Sequence, residues 1–146
     1  MRRRVKMREI KFRAWDKKHK YMDEIDGKYL YIADGKIYEV REGTWNMESF
    51  TIKKDVTDDF ELMQYTGLKD KNGVEIYEGD ILRVTDGADE VNALNSDTGI
   101  GAVEWLNKWG FWNISNIENG LGDILNWGHV EIIGNIFEDG DLIANR

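Results

Sequence analysis

A chain of 146 residues with 41% apolar and 12% aromatic side chains carries enough hydrophobic material for a packed interior. This excludes global disorder and fits one domain or two small subdomains. With no cysteine and no proline, disulfides and thiolate sites are excluded, and every sharp turn falls to Gly, Asn or Asp. The net charge of −8 is unevenly spread: residues 1–20 hold ten basic side chains against Glu9 and Asp16, a net +8, which leaves −16 on residues 21–146.

In chain order, the first predicted element is a strand over residues 9–15, where Ile10, Phe12 and Ala14 alternate with Lys11, Arg13 and Trp15. The polar stretch Asp16–Lys20 reads as a turn. The run Tyr29–Ile32 meets Ala33-Asp34-Gly35 and resumes as Lys36–Val40, and Asp-Gly between two such runs predicts a hairpin. Around Asp55–Asp59 the chain turns acidic and loses its apolar pattern. That sets a seam between an N-terminal β-rich subdomain, residues 7–58, and a C-terminal one, residues 59–138.

Leu62–Tyr65 reads as a short strand, Gly67 and Asn72-Gly73 as turns, and Gly79-Asp80 as the entry to a strand over Ile81–Val84. Residues 85–99 are polar and acidic without a period, which predicts an exposed loop with at most one helical turn at Asp89–Leu94. Strands resume at Ile100–Leu106 and Phe111–Ile114 around a turn at Lys108–Gly110. The last covers Val130–Phe137, with Gly134 as a bulge position, and residues 139–146 form a polar tail. About eight short strands and little helix indicate a mainly β protein, and strands curled by glycines favour a small barrel over a flat sandwich.

Metal or acid–base chemistry needs carboxylates that converge, and Asp70, Glu75, Glu78 and Asp80 are the nearest group. Their spacing does not match a calcium loop, because Gly73 follows Asp70 by three residues instead of five. The favoured reading makes Asp70 and Asn72 turn-shaping residues and Gly79-Asp80 a strand entry. Trp105, Trp109, Phe111, Trp112 and Trp127 offer either a groove for proline-rich peptides, a platform for bases, or filling for a small barrel. The last is preferred, with Trp105 in the core beside Val103 and Trp109, in a turn, the exposed ring. His19 and His129 show no zinc spacing, and Gly99-x-Gly101 and Gly120-x-Gly122 lack the third glycine of a dinucleotide site. Arg8, Lys11, Arg13, Lys17 and Lys18 form the best interaction feature, a phosphate-contacting patch opposed by the acidic charge elsewhere.

Three segments carry a resemblance: REIKFRAWD (Arg8–Asp16), MQYTGLKDKNGVEIYEGDILRV (residues 63–84) and VEIIGNIFE (Val130–Glu138). With their spacing they resemble the YopX-like proteins of bacteriophages and prophages over nearly the whole chain from Met7. Members of that family begin near a Met-Arg-Glu-Ile-Lys-Phe-Arg start, which makes residues 1–6 an extension or a mis-assigned start. The family's proline after the final strand is replaced by Asp139-Gly140-Asp141.

The resemblance implies an SH3-like barrel in the C-terminal part, a smaller β-rich N-terminal subdomain, self-association, and a phage or prophage protein in the bacterial cytoplasm. No run of about 18 apolar residues is present and no apolar core follows the basic N-terminus, so neither a membrane span nor a secretory signal is expected. The resulting expectation is a non-enzymatic binding or adaptor module without a cofactor. Its partners would be another copy, a host or phage protein, or nucleic acid through the basic N-terminus, and not a membrane. The residues expected to bind are Arg8, Lys11, Arg13, Lys17, Lys18 and Trp109, with Gly67, Asn72, Gly73, Gly79 and Asp80 shaping turns. The alternatives are an acidic DNA mimic and a metal-assisted hydrolase or nuclease using Asp70, Glu78 and Asp80.

Overall fold

Alternating side chains separated by glycine, asparagine and aspartate turns fold this chain into successive antiparallel hairpins. A computed structural model describes residues 8–86 and 98–144. Its first strands are β1 (Phe12–Asp16), β2 (Tyr21–Glu24), β3 (Leu30–Ala33), β4 (Lys36–Trp45) and β5 (Glu48–Asp55). A 3₁₀ turn at Thr57–Asp59 leads into β6 (Phe60–Lys69), β7 (Glu75–Tyr77), β8 (Asp80–Thr85), β9 (Gly99–Leu106) and β10 (Phe111–Ile114). Helix α1 (Leu121–Trp127), β11 (His129–Asn135) and the short helix α2 (Asp141–Ala144) complete the chain. Among the described residues, strands hold 55% and helices 10%, so the mainly β class is the one observed. The predicted acidic loop lies outside the described residues over 87–97, together with the helical turn at Asp89–Leu94, and so do residues 1–6. Of that loop's flanks, Thr85 ends β8 and Gly99 opens β9.

Two compact units divide the chain: Lys11–Met63, and the described residues of Met1–Ile10 with Gln64–Arg146. In the N-terminal unit, β1 pairs with β2, and β3, β4 and β5 form a separate three-stranded sheet in that order. The predicted Asp34-Gly35 turn is present, with φ of 52° and 73° between paired Ala33 and Lys36. Ile10 departs from the expected half-buried face and is exposed, because β1 begins only at Phe12 and buries Ala14, Trp15 and Asp16 consecutively. The hydrophobic centre is small: Leu30, Ile37 and Val56, with Ile25 and Phe60 packed against them.

The larger difference is the β4–β5 hairpin. β4 does not stop at Val40 but continues to Trp45, turns through Asn46 and Met47 at φ of 50° and 66°, and returns as β5. The turn contains no glycine, and every residue of β5 is exposed, so the alternation that marks a half-buried strand is missing from its burial.

The C-terminal unit contains the sheet β10-β9-β8-β11 and the β6–β7 pair, and its curled sheets form a half-barrel. Its core is entirely aliphatic: Ile76, Leu82, Val84, Val103, Ile114, Ile117, Leu121, Ile124 and Val130. α1 enters this core through Leu121 and Ile124, a helix the strand-like reading did not include. The bulge expected at Gly134 is present, as the β11–β8 register shifts between Ile132 and Gly134. At Gly101 in β9 the neighbouring chain comes so close that a Cβ would lie 1.8 Å from the Ser115 carbonyl oxygen. Ser115 fastens to the same strand twice, its N–H donating to the Ala102 carbonyl at 2.9 Å and its hydroxyl accepting from the Ala102 N–H at 2.8 Å.

The segment 63–84 is a backbone device. Gly67, Gly73 and Gly79 all have positive φ, between 78° and 85°. Asp70 is buried, and one of its carboxylate oxygens accepts from the Asn72 and Val74 N–H groups at 2.9 Å each. The other accepts from the Ile132 N–H at 3.1 Å, which ties the turn to β11. Thr66 Oγ1 donates to the Ile76 carbonyl at 2.7 Å and accepts from the Leu68 N–H, bridging β6 and β7 where their register shifts.

Candidate binding cleft

The β9–β10 hairpin carries the aromatic residues outward from the core. Val103 pairs with Ile114 and Trp105 with Trp112, so all four share one sheet face. Val103 and Ile114 are buried, whereas Trp105 is 43% exposed. This corrects the expectation of a core Trp105: the face is right, but the strand has run past the end of the aliphatic cluster. The two indoles meet edge to face, with ring centroids 5.0 Å apart at 67°, a preferred geometry for aromatic quadrupoles. Trp109, Phe111 and Trp127 are also exposed, so these rings do not fill the barrel. The aliphatic cluster fills the interior, with Trp112 half-buried against it and the other four rings exposed.

Three of these rings, Trp105, Phe111 and Trp112, line an open cleft of about 570 Å³, within the range of small-ligand and peptide pockets. Phe111 closes one side, against Gly120, where a Cβ would lie 3.1 Å from the ring. The buried Leu121 and Ile124 hold α1 in place, and the segment entering it supplies Glu118 and Asn119, with Asp123 from its first turn. Thr66 and Leu68 of β6 border the cleft as well, so the family-like segment contributes to it directly. Arg8 adds a guanidinium. The charged lining is therefore one arginine and two carboxylates around an aromatic floor.

The structure brings Arg8 together with the tryptophan-rich segment. Trp109 sits on the turn that ends at the lining residue Gly110, is 65% exposed, and has Lys108 Nζ 5.2 Å from its ring centroid. The other basic candidates belong to the N-terminal unit. Lys11 and Arg13 are half-buried, Lys17 pairs with Glu61 at 3.6 Å, and Lys18 is exposed with its backbone N–H bonded to Asp16. Sequence reasoning missed Glu118, Asn119 and Asp123. The one local signal was the Gly120-x-Gly122 pair, which marks a close approach and a helix start instead of a phosphate loop.

Asp70, Glu78 and Asp80 do not converge on a cation site: among the described residues no group of three or more His, Cys, Asp or Glu side chains is arranged to hold a metal. Asp70 is engaged by three backbone N–H groups, and Asp80, also buried, accepts from the Tyr77 N–H at 2.8 Å. Both carboxylates accept backbone N–H groups. His19 turns back on its own hairpin, with Nδ1 2.9 Å from an Asp16 carboxylate oxygen. No helix among the described residues is long and apolar enough to cross a membrane.

Comparison with known proteins agrees with this architecture. The chain is similar to the crystal structure of protein EF1440 from Enterococcus faecalis, with a TM-score of 0.57 and 29% identity, over 91% of this chain and 96% of that one. No curated protein matches it. The family model described as YopX protein matches residues 11–144, nearly the full length, and the chain belongs to that family.

Proposed function

We propose that the protein is a phage- or prophage-encoded, non-enzymatic binding module that associates with itself in the bacterial cytoplasm and holds an extended peptide in the aromatic cleft. The observation that carries this reading is the edge-to-face Trp105–Trp112 pair at the floor of a cleft flanked by Glu118 and Asp123. Tryptophan faces suit the flat, preformed surface of a proline-rich segment, which loses little conformational entropy on docking. Two carboxylates against one arginine favour a peptide bearing a basic residue and oppose a phosphate backbone.

Titration of intrinsic tryptophan fluorescence tests it. A proline-rich peptide with one arginine saturates the signal. The same peptide with glutamate in that place binds more weakly, and a single-stranded oligonucleotide leaves the signal unchanged. Trp112→Ala weakens the peptide about 30-fold, the cost of an interface hot spot of about 2 kcal/mol. Saturation by the oligonucleotide with no response to either peptide overturns the reading.

A further inference from the structure

A second surface lies on the N-terminal unit. β5 ends the order β3-β4-β5, and all eight of its residues are exposed. Its two faces differ. On one, Lys53 Nζ stands 4.1 Å from the Tyr38 ring centroid and 5.4 Å from that of Tyr31, covering the stacked tyrosine pair. On the other, the register places Ile52 beside Arg41, Phe50 beside Gly43 and Glu48 beside Trp45. Ile52, Phe50 and Trp45 form an exposed apolar stripe, with Trp45 75% accessible. A sheet edge bordered by such a stripe is a template for another strand.

We propose that β5 pairs antiparallel with β5 of a second copy, centred on Thr51, so that two three-stranded sheets become one. This specifies the surface for the self-association proposed above and does not depend on the cleft. The strand's own sequence selects the occupant. In a two-fold symmetric antiparallel pair, opposing residues lie on the same face, so the axis passes through a residue and its own counterpart. Centring on Thr51 sets Glu48 opposite Lys54 twice, Phe50 opposite Ile52 twice, and Ser49 opposite Lys53.

The neighbouring registers lose this match. Centring on Phe50 puts Glu48 against Ile52, centring on Ile52 puts Phe50 against Lys54, and centring on Lys53 opposes like charges. Edge lysines usually discourage pairing, but in the Thr51 register each meets a carboxylate or a hydroxyl. Among the described residues, neither Glu48 nor Lys54 has an ion-pair partner within the chain.

The absence of native cysteine allows a register-specific test on the full chain. The unmodified chain sediments as a dimer. Lys54→Glu weakens that dimer at least about tenfold by opposing two pairs of like charges, and Glu48→Lys/Lys54→Glu restores it. Under mild oxidation, Thr51→Cys cross-links to itself. Phe50→Cys alone does not, but cross-links when mixed with Ile52→Cys. A monomeric unmodified chain overturns both the pairing and the self-association. A dimer that tolerates Lys54→Glu and leaves Thr51→Cys uncross-linked overturns the β5 surface alone. Peptide titration of the cleft, measured on the same variants, reports the other half of the proposed function separately.

Discussion

The two units of this chain are stabilised by different means. The C-terminal unit encloses nine buried aliphatic residues in one cluster, and its family-like turn is fixed by a buried carboxylate that reaches 62 residues along the chain. The N-terminal unit has a buried cluster of three, and it relies on local turns held by Asp16, Asp26 and Asp55. In both, the candidate interaction surface begins where the aliphatic core ends: Trp105 and Trp112 beyond Val103 and Ile114, and Ile52, Phe50 and Trp45 beyond Ile37. Apolar residues that a small core does not absorb become surfaces available to partners.

A pair of glycine substitutions breaks this comparison most sharply. Gly101→Ala drives a methyl group into the backbone carbonyl of Ser115, a residue whose N–H and hydroxyl both bond to Ala102. It costs about 4 kcal/mol, at the upper end for overpacking, since no side chain can swing aside. Gly43→Ala in β4 meets only the ring end of Phe50, 2.5 Å away but partly exposed and able to rotate, and costs less than about 1 kcal/mol. Chemical denaturation followed by tryptophan fluorescence measures the difference. Equal losses for the two variants contradict the assignment of rigidity to the C-terminal unit.

Two carboxylates sharpen the contrast at the next scale. Asp70 and Asp26 each accept three backbone N–H bonds. Asp70 is buried and links distant segments, so Asp70→Ala leaves donors without water and costs about 2–3 kcal/mol. Asp26 is exposed and its bonds are local, so water replaces it at much smaller cost. Hydrogen exchange after Asp70→Ala shows lost protection in both β11 and the 70–74 turn. Loss confined to the turn removes the clamp role.

Much of this architecture was legible wherever a turn carries its own chemistry. Asp34-Gly35, Asn72-Gly73 and Gly134 marked a hairpin, a turn and a bulge because positive φ or an extra residue leaves a sequence trace. β10 was read at its actual bounds, since the turn at Lys108–Gly110 marks where it starts. The β4–β5 extension was hidden because Met47 occupies a left-handed turn position where glycine is usual and because β5 buries no face. α1 was hidden because only Leu121 and Ile124 anchor it, too few to declare a helical period. Arg8 and the tryptophans were visible as candidates, but not their meeting point. That depends on Thr66, Leu68, Glu118 and Asp123 converging from segments far apart in the chain, which no local pattern encodes.

Acid is the gentlest way to separate the units. Burial alone would raise the pKa of Asp16, but N–H bonds from His19 and Lys18 and the adjacent His19 ring outweigh it and hold the carboxyl below its ordinary 3.8. Backbone N–H groups of Lys28, Leu30 and Tyr29 lower Asp26, and the hydroxyl and N–H of Thr57 lower Asp55. A carboxylate with a folded pKa below its unfolded one stabilises fully above the unfolded value and loses that contribution as pH falls through the folded value. Stability of the N-terminal unit therefore holds down to about pH 5 and declines below about 4. Amide protection in β1 to β5, followed by NMR as pH is lowered, fades before that in β8 to β10. Asp16→Asn removes one of the three titrations, so its acid decline is shallower, at a cost of about 1 kcal/mol near neutrality from weaker hydrogen bonds to Lys18 and His19. If β8 to β10 lose protection first, local carboxylate turns are not what distinguishes the N-terminal unit.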